Sequence, residues 1–290
     1  MKRPTDNLLA YLRILWRNKL MGVGLVIMLA FIFIALVAPL ITTPNRPNPY
    51  QLRRDWSCIL APPGTPGHVF GTDDRGSDIF YGIIWGARTS IKYGLLICIS
   101  QSILGALVGL IAGYYQGIVG ITLMRITDMF LSLPRLILAM AFGAIFGISL
   151  QSIAFSLILT GWTRPARITR SAVIGVQAEQ YVEAIKALGA SSTRILFRHV
   201  LPNALSPLII QATMDLGAII LSISGLAFIG LAPAGIAEWG SMIAIAQARL
   251  VGGYWWTAAL PGIAIFLFVL GANLVGDGVR DVLDPKLRGS

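Results

Sequence analysis

Few side chains in this sequence have a type and spacing that could perform chemistry. Asp128 and Asp215 fall within apolar segments, where a carboxylate could relay protons or contact a partner helix. The two histidines, His68 and His199, stand apart from any Ser/His/Asp, paired-aspartate or HExxH pattern. No G-x-x-x-x-G-K-S/T segment is present, so the chain lacks the loop that cradles a nucleoside triphosphate. The sequence therefore does not predict an enzyme.

Three aspartates, Asp73, Asp74 and Asp78, are close enough in sequence to suggest a cation site. Their spacing is not that of an EF-hand and an arginine lies among them, so ion pairs that fix a loop are the favoured interpretation. Cys58 is predicted to lie in a loop outside the membrane, and Cys98 within a membrane span. This difference in depth argues against a disulfide between them. Neither a disulfide nor a metal site is predicted.

The elements that position these groups are predicted to be membrane-spanning helices. Of the 290 residues, 56% are hydrophobic and only 12% are charged, which is too apolar for a soluble domain. Five segments without formal charge are long enough for a span of about 20 residues. They are Gly22–Ile41, Tyr93–Tyr115, Leu136–Thr163, Leu216–Ala237 and Val251–Gly276. The third predicts two helices, Met124–Phe146 and Ser149–Arg164, which gives an all-α fold of six spans.

The distribution of charge predicts the orientation. An even number of spans places both termini on one side of the membrane. Most of the 23 lysines and arginines fall in segments that would share that side. Because basic residues are enriched on the cytoplasmic side, both termini are predicted to be cytoplasmic. The net charge of +10 is therefore a topology signal, and nucleic-acid binding is not predicted. The predicted divisions are an amphipathic cytoplasmic segment (1–20), the first span (21–41), an outer loop (42–85), a five-helix core (86–278) and a cytoplasmic tail (279–290).

Small and polar residues predict contacts within the spans. A stripe of glycines at four-residue intervals leaves one side of the second span without side chains, so another helix can approach closely there. These glycines are Gly105, Gly109 and Gly113. In the third span Arg125 and Asp128 lie three residues apart and are predicted to form an ion pair, with a role in lining a substrate path as the alternative. Arg135 and Asp215 are further polar groups predicted within the membrane.

Charged residues cluster at 179–202, a segment called here the charged loop, and such a cluster must lie in water. Val182, Ile185 and Leu188 recur at every third position, which predicts one face of a short helix. We expect this small apolar face to point outward. Gly189 is expected to end the helix, because it can adopt the left-handed conformation found at helix C-termini.

A second helix is predicted to follow, capped by one of two serines and ending at Pro202. The segment contains the pair Glu183-Ala184, then Gly189 six residues after that glutamate, and finally a Leu-Pro pair that ends at 202. This pattern resembles the cytoplasmic "EAA" loop of ABC-importer permeases. The resemblance implies that the segment from about 171 to 203 docks into a cleft of an ATPase subunit. The residues expected to dock are Val182, Glu183, Ala184, Ile185, Leu188, Gly189, Arg194 and Arg198. The sequence departs from the general family pattern at Ile185 and His199.

Further segments are similar to the peptide/nickel branch of this family. They are Phe70–Gly94, the stretch around Arg125 to Arg135, Leu221–Ile243 and Asn273–Arg288. The resemblance extends over nearly the whole chain from Leu12 and implies the fold of a type I ABC-importer permease. Within the branch, the chain is most similar to the second, C-type permease of dipeptide and oligopeptide systems.

The resemblance also implies partners and a location. These are a homologous permease in a heterodimer, two ATPase subunits that bind ATP and magnesium, and an extracytoplasmic peptide-binding protein, all at a prokaryotic cytoplasmic membrane. No cofactor is expected in this chain itself. Nickel chelates, glutathione and other small solutes remain alternative substrates. An ion-coupled secondary transporter that uses Asp128 or Asp215 is a rival function, but the paired broken helices of inverted repeats are not evident.

Overall fold

The computed structural model describes residues 19–45 and 47–283. Nearly all of the predicted amphipathic segment and the end of the predicted tail lie outside these residues. The described residues form helices and irregular connections, with only isolated bridges and no strand among them. In chain order the helices are α1 (Lys19–Ile41), α2 (Ile79–Tyr114), α3 (Ile118–Leu131), α4 (Arg135–Phe146), α5 (Leu150–Gly161), α6 (Thr163–Gln177), α7 (Gln180–Ala187), α8 (Ser192–Ile195), α9 (Leu201–Leu226), α10 (Trp239–Ala246) and α11 (Trp256–Leu283).

Several helices are long and apolar enough to cross a membrane. Within the described residues, four segments meet this condition unaided: α1, α2, the continuous helical segment Ser192–Leu231, and α11. The bent pair of α3 and α4 makes a fifth. The helices α5 and α6, joined at Trp162, occupy the position of the remaining predicted span. The all-α, polytopic fold expected from composition is therefore confirmed.

Helix α2 begins earlier than the charge-free segment indicated. It starts at Ile79 instead of Tyr93, and its 36 residues correspond to about 54 Å of helix. The carboxylate of Asp78 caps its N-terminus by accepting a hydrogen bond from the backbone N–H of Tyr81. The preceding loop therefore ends at residue 78, and residues 42–78 are called the long loop below. The first turns of α2 carry Arg88 and Lys92, so they lie outside the charge-free segment.

Two prolines act differently from the sequence-based expectation. The predicted helix Met124–Phe146 is broken before Pro134, and the two halves meet at 88°. Proline restricts the residue before it to extended conformations, which stops α3. Pro202, by contrast, does not end the second helix of the charged loop, and this prediction was wrong. It lies in the first turn of α9, where a missing N–H is tolerated, immediately after the π-helical turn Leu196–Val200.

Among the residues that the structure describes, three apolar clusters hold the bundle together. The first contains Phe31 of α1, Trp239 of α10 and Phe268 of α11, whose rings lie 5.5–6.1 Å apart. The second lies between α2, α5 and α9 and includes Leu157 and Ile219. The third joins α2 and α6 to the charged loop and is described with the site. Long exposed apolar side chains cover α1, as expected of a helix that faces lipid.

Candidate functional site

The charged loop is a compact helical turn. Helix α7 ends in a Schellman motif, because the N–H of Ala190 bonds to the carbonyl of Ile185 and the N–H of Gly189 bonds to the carbonyl of Lys186. Gly189 has φ +80°, which favours glycine. The Ser191 hydroxyl then caps α8 by accepting a hydrogen bond from the N–H of Arg194 at 3.4 Å. The sequence therefore closes the turn between the two helices through backbone hydrogen bonds.

The apolar face of α7 does not point outward as a unit, which corrects the expectation from its spacing. Val182 is only 4% exposed and packs in the third apolar cluster. Ile185 is half-buried against the same cluster. Leu188 alone of the three is free, with 86% of its surface exposed, because it lies at the helix end where the chain turns. A three-residue period identifies a common face but does not say which way that face points.

The third apolar cluster connects the charged loop to the bundle. It contains Leu110 of α2 and Val173 of α6, both at most 1% exposed, against Val182 of α7. Ile195, Leu196, Val200 and Ala204 supply the contacts from α8 to α9. The charged loop is therefore packed directly against α2, α6 and α9.

The exposed surface of the charged loop combines apolar and charged groups. Leu188, Tyr181 and Phe197 expose 86%, 42% and 52% of their surfaces. The other exposed residues with predicted roles are Glu183, Ala184, Gly189, Arg194 and Arg198. Tyr181 and Phe197 were missed at the sequence level because neither belongs to the three-residue period. A surface that exposes both apolar and charged side chains is typical of a site that binds another protein.

Helix α6 is linked by ion pairs to two neighbours. Arg167 contacts the carboxylate of Asp128 on α3, and Arg164 lies 3.6 Å from the carboxylate of Asp215 on α9. The predicted pair of Arg125 with Asp128 is not formed, because the Asp128 carboxylate contacts Arg167 instead. Sequence spacing could not identify this partner, since it is 39 residues away.

Arg135 is positioned at the start of α4 by a side chain of α2. Its Nη2 donates to Gln101 Oε1 at 3.1 Å, and Gln101 is 1% exposed. Gly161 of α5 makes room for this contact, since a Cβ there would lie 2.7 Å from Arg135 Nη2. The arginine therefore ties α4 to α2 and α5.

The glycine stripe of α2 is a packing surface against α6 of the same chain. A Cβ added at Gly105 would lie 2.6 Å from the carbonyl oxygen of Trp162, and one at Gly109 would lie 2.7 Å from Thr169 Cβ. A Cβ at Gly113 would lie 2.8 Å from Val173 Cβ. All three distances are shorter than real Cβ contacts, so only glycine permits this approach.

The three aspartates of the long loop have separate structural roles. Asp73 accepts hydrogen bonds from the N–H groups of Arg75 and Ser77 at 2.8 and 2.7 Å, and burial raises the pKa of its carboxyl. Asp74 pairs with Arg249 at 3.3 Å, whereas Asp78 caps α2. They fix the loop: Asp74 does so through an ion pair with a residue distant in sequence, and the carboxylate of Asp78 also contacts the imidazole of His68 at 2.6 Å.

Glu238 forms a buried connection in the segment between α9 and α10. Its carboxylate accepts hydrogen bonds from the Ser224 hydroxyl at 3.0 Å and the Ser241 N–H at 2.8 Å. The residue is fully buried, and burial raises the pKa of its carboxyl. Trp239 beside it donates to the carbonyl of Ile83 at 3.1 Å. These contacts fasten α10 to α2 and α9.

Comparison with known proteins identifies the family. Residues 105–289 match the family of binding-protein-dependent transport system inner membrane components, which is more than half of the chain. The chain belongs to this family. It is thus the permease subunit of an ABC importer, a translocation subunit and not an enzyme. Residues 10–63 also match the N-terminal transmembrane domain of oligopeptide transport permease C. Membership implies ATPase and binding-protein partners in general terms.

Named relatives match the permease over almost its full length. The dipeptide transport system permease protein DppC of Alkalihalophilus pseudofirmus is 41% identical over 94% of this chain and 88% of that protein. The DppC protein of Escherichia coli is 39% identical over 94% of this chain and 91% of its own length. The di/tripeptide transport system permease protein DppC of Pseudomonas aeruginosa is 39% identical over 91% of this chain and 88% of its own.

A solved structure supports the fold. The permease is similar to a chain from the crystal structure of an amino acid ABC transporter with histidines, with a TM-score of 0.51. The similarity covers 71% of this chain and 93% of that chain at 16% identity. At this identity the likeness concerns the arrangement of helices and not the substrate.

Proposed function

We propose that the permease passes dipeptides and oligopeptides across the cytoplasmic membrane of a prokaryote by alternating access. It pairs with a homologous permease, and substrate crosses at the interface between the two. Two ATPase subunits bind ATP and magnesium on the cytoplasmic side, and a peptide-binding protein delivers substrate from the other side. Both termini of the permease lie in the cytoplasm.

The observation that carries the proposal is the anchoring of the charged loop. Leu188 offers an exposed apolar side chain for the ATPase, while Val182 is buried against α2 and α6. Burial of one leucine in a partner cleft is worth about 1.5–3 kcal/mol, enough for specific docking. Movement of the docked ATPase then reaches the bundle through the third apolar cluster.

The ion pairs support the same path of movement. Helix α6 leads into the charged loop, and α9 leads out of it. Arg164 and Asp215 connect these two helices, and Arg167 and Asp128 connect α6 to α3. A rotation of the loop therefore displaces several helices together, as alternating access requires.

The relatives support peptide as the substrate. Those described above are named as dipeptide or di/tripeptide transport permeases and match nearly the full length of this chain. The match of residues 10–63 to the oligopeptide permease domain supports the same branch of the family. The exposed Arg194 and Arg198 support a cytoplasmic position for the charged loop, because basic residues are enriched on that side.

Reconstitution tests this function. The permease is placed in proteoliposomes with the homologous permease, the ATPase subunits and the binding protein, and uptake of a labelled dipeptide is measured. We expect uptake to require ATP and to be unaffected by a protonophore. Proton-driven uptake without the ATPases would overturn the importer mechanism. ATP-dependent uptake of a nickel chelate or glutathione but of no peptide would retain the mechanism and overturn the substrate.

A further inference from the structure

Three side chains of the long loop bring different metal-binding atoms together. The Asp55 carboxylate, the Cys58 thiol and the His68 imidazole each offer one atom, and these atoms lie within 4.8 Å of one another. All three residues are partly buried. Spacings of three and ten residues match none of the common zinc motifs, so the sequence alone did not predict this group. Carboxylate oxygen, thiolate sulfur and imidazole nitrogen are the three donor types that Zn²⁺ accepts.

The imidazole of His68 is oriented for a ligand. Its Nδ1 lies 2.6 Å from Asp78 Oδ2, and since a carboxylate only accepts, Nδ1 carries the hydrogen. In the neutral ring, Nε2 then presents its lone pair toward Asp55. Metal-binding histidines commonly have such a carboxylate behind the ring, because it fixes the tautomer and raises ligand basicity. Asp78 is itself held by the Tyr81 N–H at 2.8 Å.

The carboxylate of Asp55 is also oriented. Its Oδ1 accepts hydrogen bonds from the N–H and hydroxyl of Ser57, at 3.0 and 2.5 Å. Its Oδ2 is left facing His68 Nε2 at 3.5 Å. Two ligand atoms at zinc bond lengths of about 2.0–2.2 Å in tetrahedral geometry are about 3.4 Å apart. This pair therefore already has the separation that a shared zinc ion requires.

We propose that Asp55, Cys58 and His68 bind one Zn²⁺ ion, with water as the fourth ligand and Asp78 as the residue that positions His68. The thiol of Cys58 binds as the thiolate, and its proton is released to solvent. The ion joins two separate segments of the long loop and, through Asp78, ties them to the N-terminus of α2. It has a structural role in the long loop and takes no part in ATP-dependent movement, so the proposal is independent of the proposed function.

Cobalt substitution tests this site in the full-length permease purified in nanodiscs. Tetrahedral Co²⁺ bound to a thiolate gives a charge-transfer absorption band, which reports the Cys58–metal bond directly. We expect one equivalent of Co²⁺ to produce this band and Zn²⁺ to remove it by displacement. Cys58→Ser should abolish the band. Cys98→Ser is the matched control, because Cys98 is a buried cysteine of α2, and it should leave the band unchanged.

Two further measurements separate a metal site from a structural contact. Asp78→Asn keeps a helix-capping residue but removes the charge behind His68, so the band should remain while Co²⁺ affinity falls about 10–100-fold. In the unmodified protein, Zn²⁺ should slow alkylation of Cys58 at least tenfold. Equal alkylation rates with and without Zn²⁺, or a cobalt band that survives Cys58→Ser, would overturn the proposal.

Discussion

The guanidinium of Arg164 lies 3.6 Å from the carboxylate of Asp215, which ties the helix entering the charged loop to the helix leaving it. The two partners differ in environment, because the side chain of Arg164 is 67% exposed and that of Asp215 only 11%. Gln211 also donates to the Asp215 carboxylate, at 2.9 Å. The charge of the Asp215 carboxylate is thus stabilised mainly by neighbouring side chains, whereas the charge of the Arg164 guanidinium can be solvated by water.

This asymmetry has a measurable consequence. Arg164→Ala removes the ion-pair partner of a mostly buried carboxylate and leaves its hydrogen bond from Gln211, whereas Asp215→Asn removes that charge. We expect Arg164→Ala to lower the free energy of unfolding, and with it the unfolding temperature, more than Asp215→Asn does. Each loss of unfolding free energy should be near or below about 1 kcal/mol, because the pair is half exposed. Thermal unfolding of the purified permease measures both.

A double variant provides the control for this ion pair. With the charge of Asp215 already removed, truncation of Arg164 should cost nothing more, so the combined loss should be smaller than the sum of the single losses. Fully additive losses would mean that the two side chains do not interact in the protein.

The glycine seam between α2 and α6 can be tested with a single methyl group. Gly109→Ala places a Cβ against Thr169 and the backbone of α6, and overpacking of this kind costs about 1–3 kcal/mol. Gly225→Ala is the matched control, since a Cβ at this helical glycine meets nothing within 4 Å. We expect Gly109→Ala to reduce the thermal stability of the permease and Gly225→Ala to leave it unchanged or raise it. Equal stability of the two variants would contradict the close packing.

The proposed orientation predicts a labelling pattern in cells. Single cysteines are introduced at Val251 and Thr193, both exposed, in a chain in which Cys58 and Cys98 are replaced by serine. A membrane-impermeant thiol reagent should label the cysteine at 251 in intact cells and the one at 193 only after lysis. Labelling at 193 in intact cells would place the charged loop outside and end the docking hypothesis.

Much of the fold could be predicted because it depends on composition and local pattern. A bilayer requires long apolar helices, and Gly189 ends α7 because its φ of +80° suits glycine. The effect of each proline was harder to predict. Pro134 breaks its helix, whereas Pro202 follows a π-helical turn and lies in the first turn of α9, and a sequence pattern does not distinguish the two situations.

The candidate site depends on contacts that sequence does not encode locally. Val182 and Leu188 have the same helical spacing, yet one is buried by α2 and α6 and the other is exposed. Asp128 pairs with Arg167 of a different helix instead of the nearby Arg125. His68 meets Asp55 only because the long loop folds back on itself. In each case the tertiary arrangement decides which residues meet.

The most direct test concerns docking by the charged loop. Leu188→Asp places a charge on the most exposed apolar side chain of the loop without touching the third apolar cluster. Val251→Asp is the matched control, because Val251 is 98% exposed and lies far along the chain, between α10 and α11. The binding of ATPase subunits to the purified permease pair is measured for both variants. Because one buried leucine is lost, we expect the Leu188→Asp permease to bind the ATPase subunits at least tenfold more weakly and to show less substrate-stimulated ATP hydrolysis. The Val251→Asp permease should bind the ATPases and support hydrolysis as the unmodified protein does. Binding by Leu188→Asp as tight as that of the unmodified permease would contradict docking at this loop.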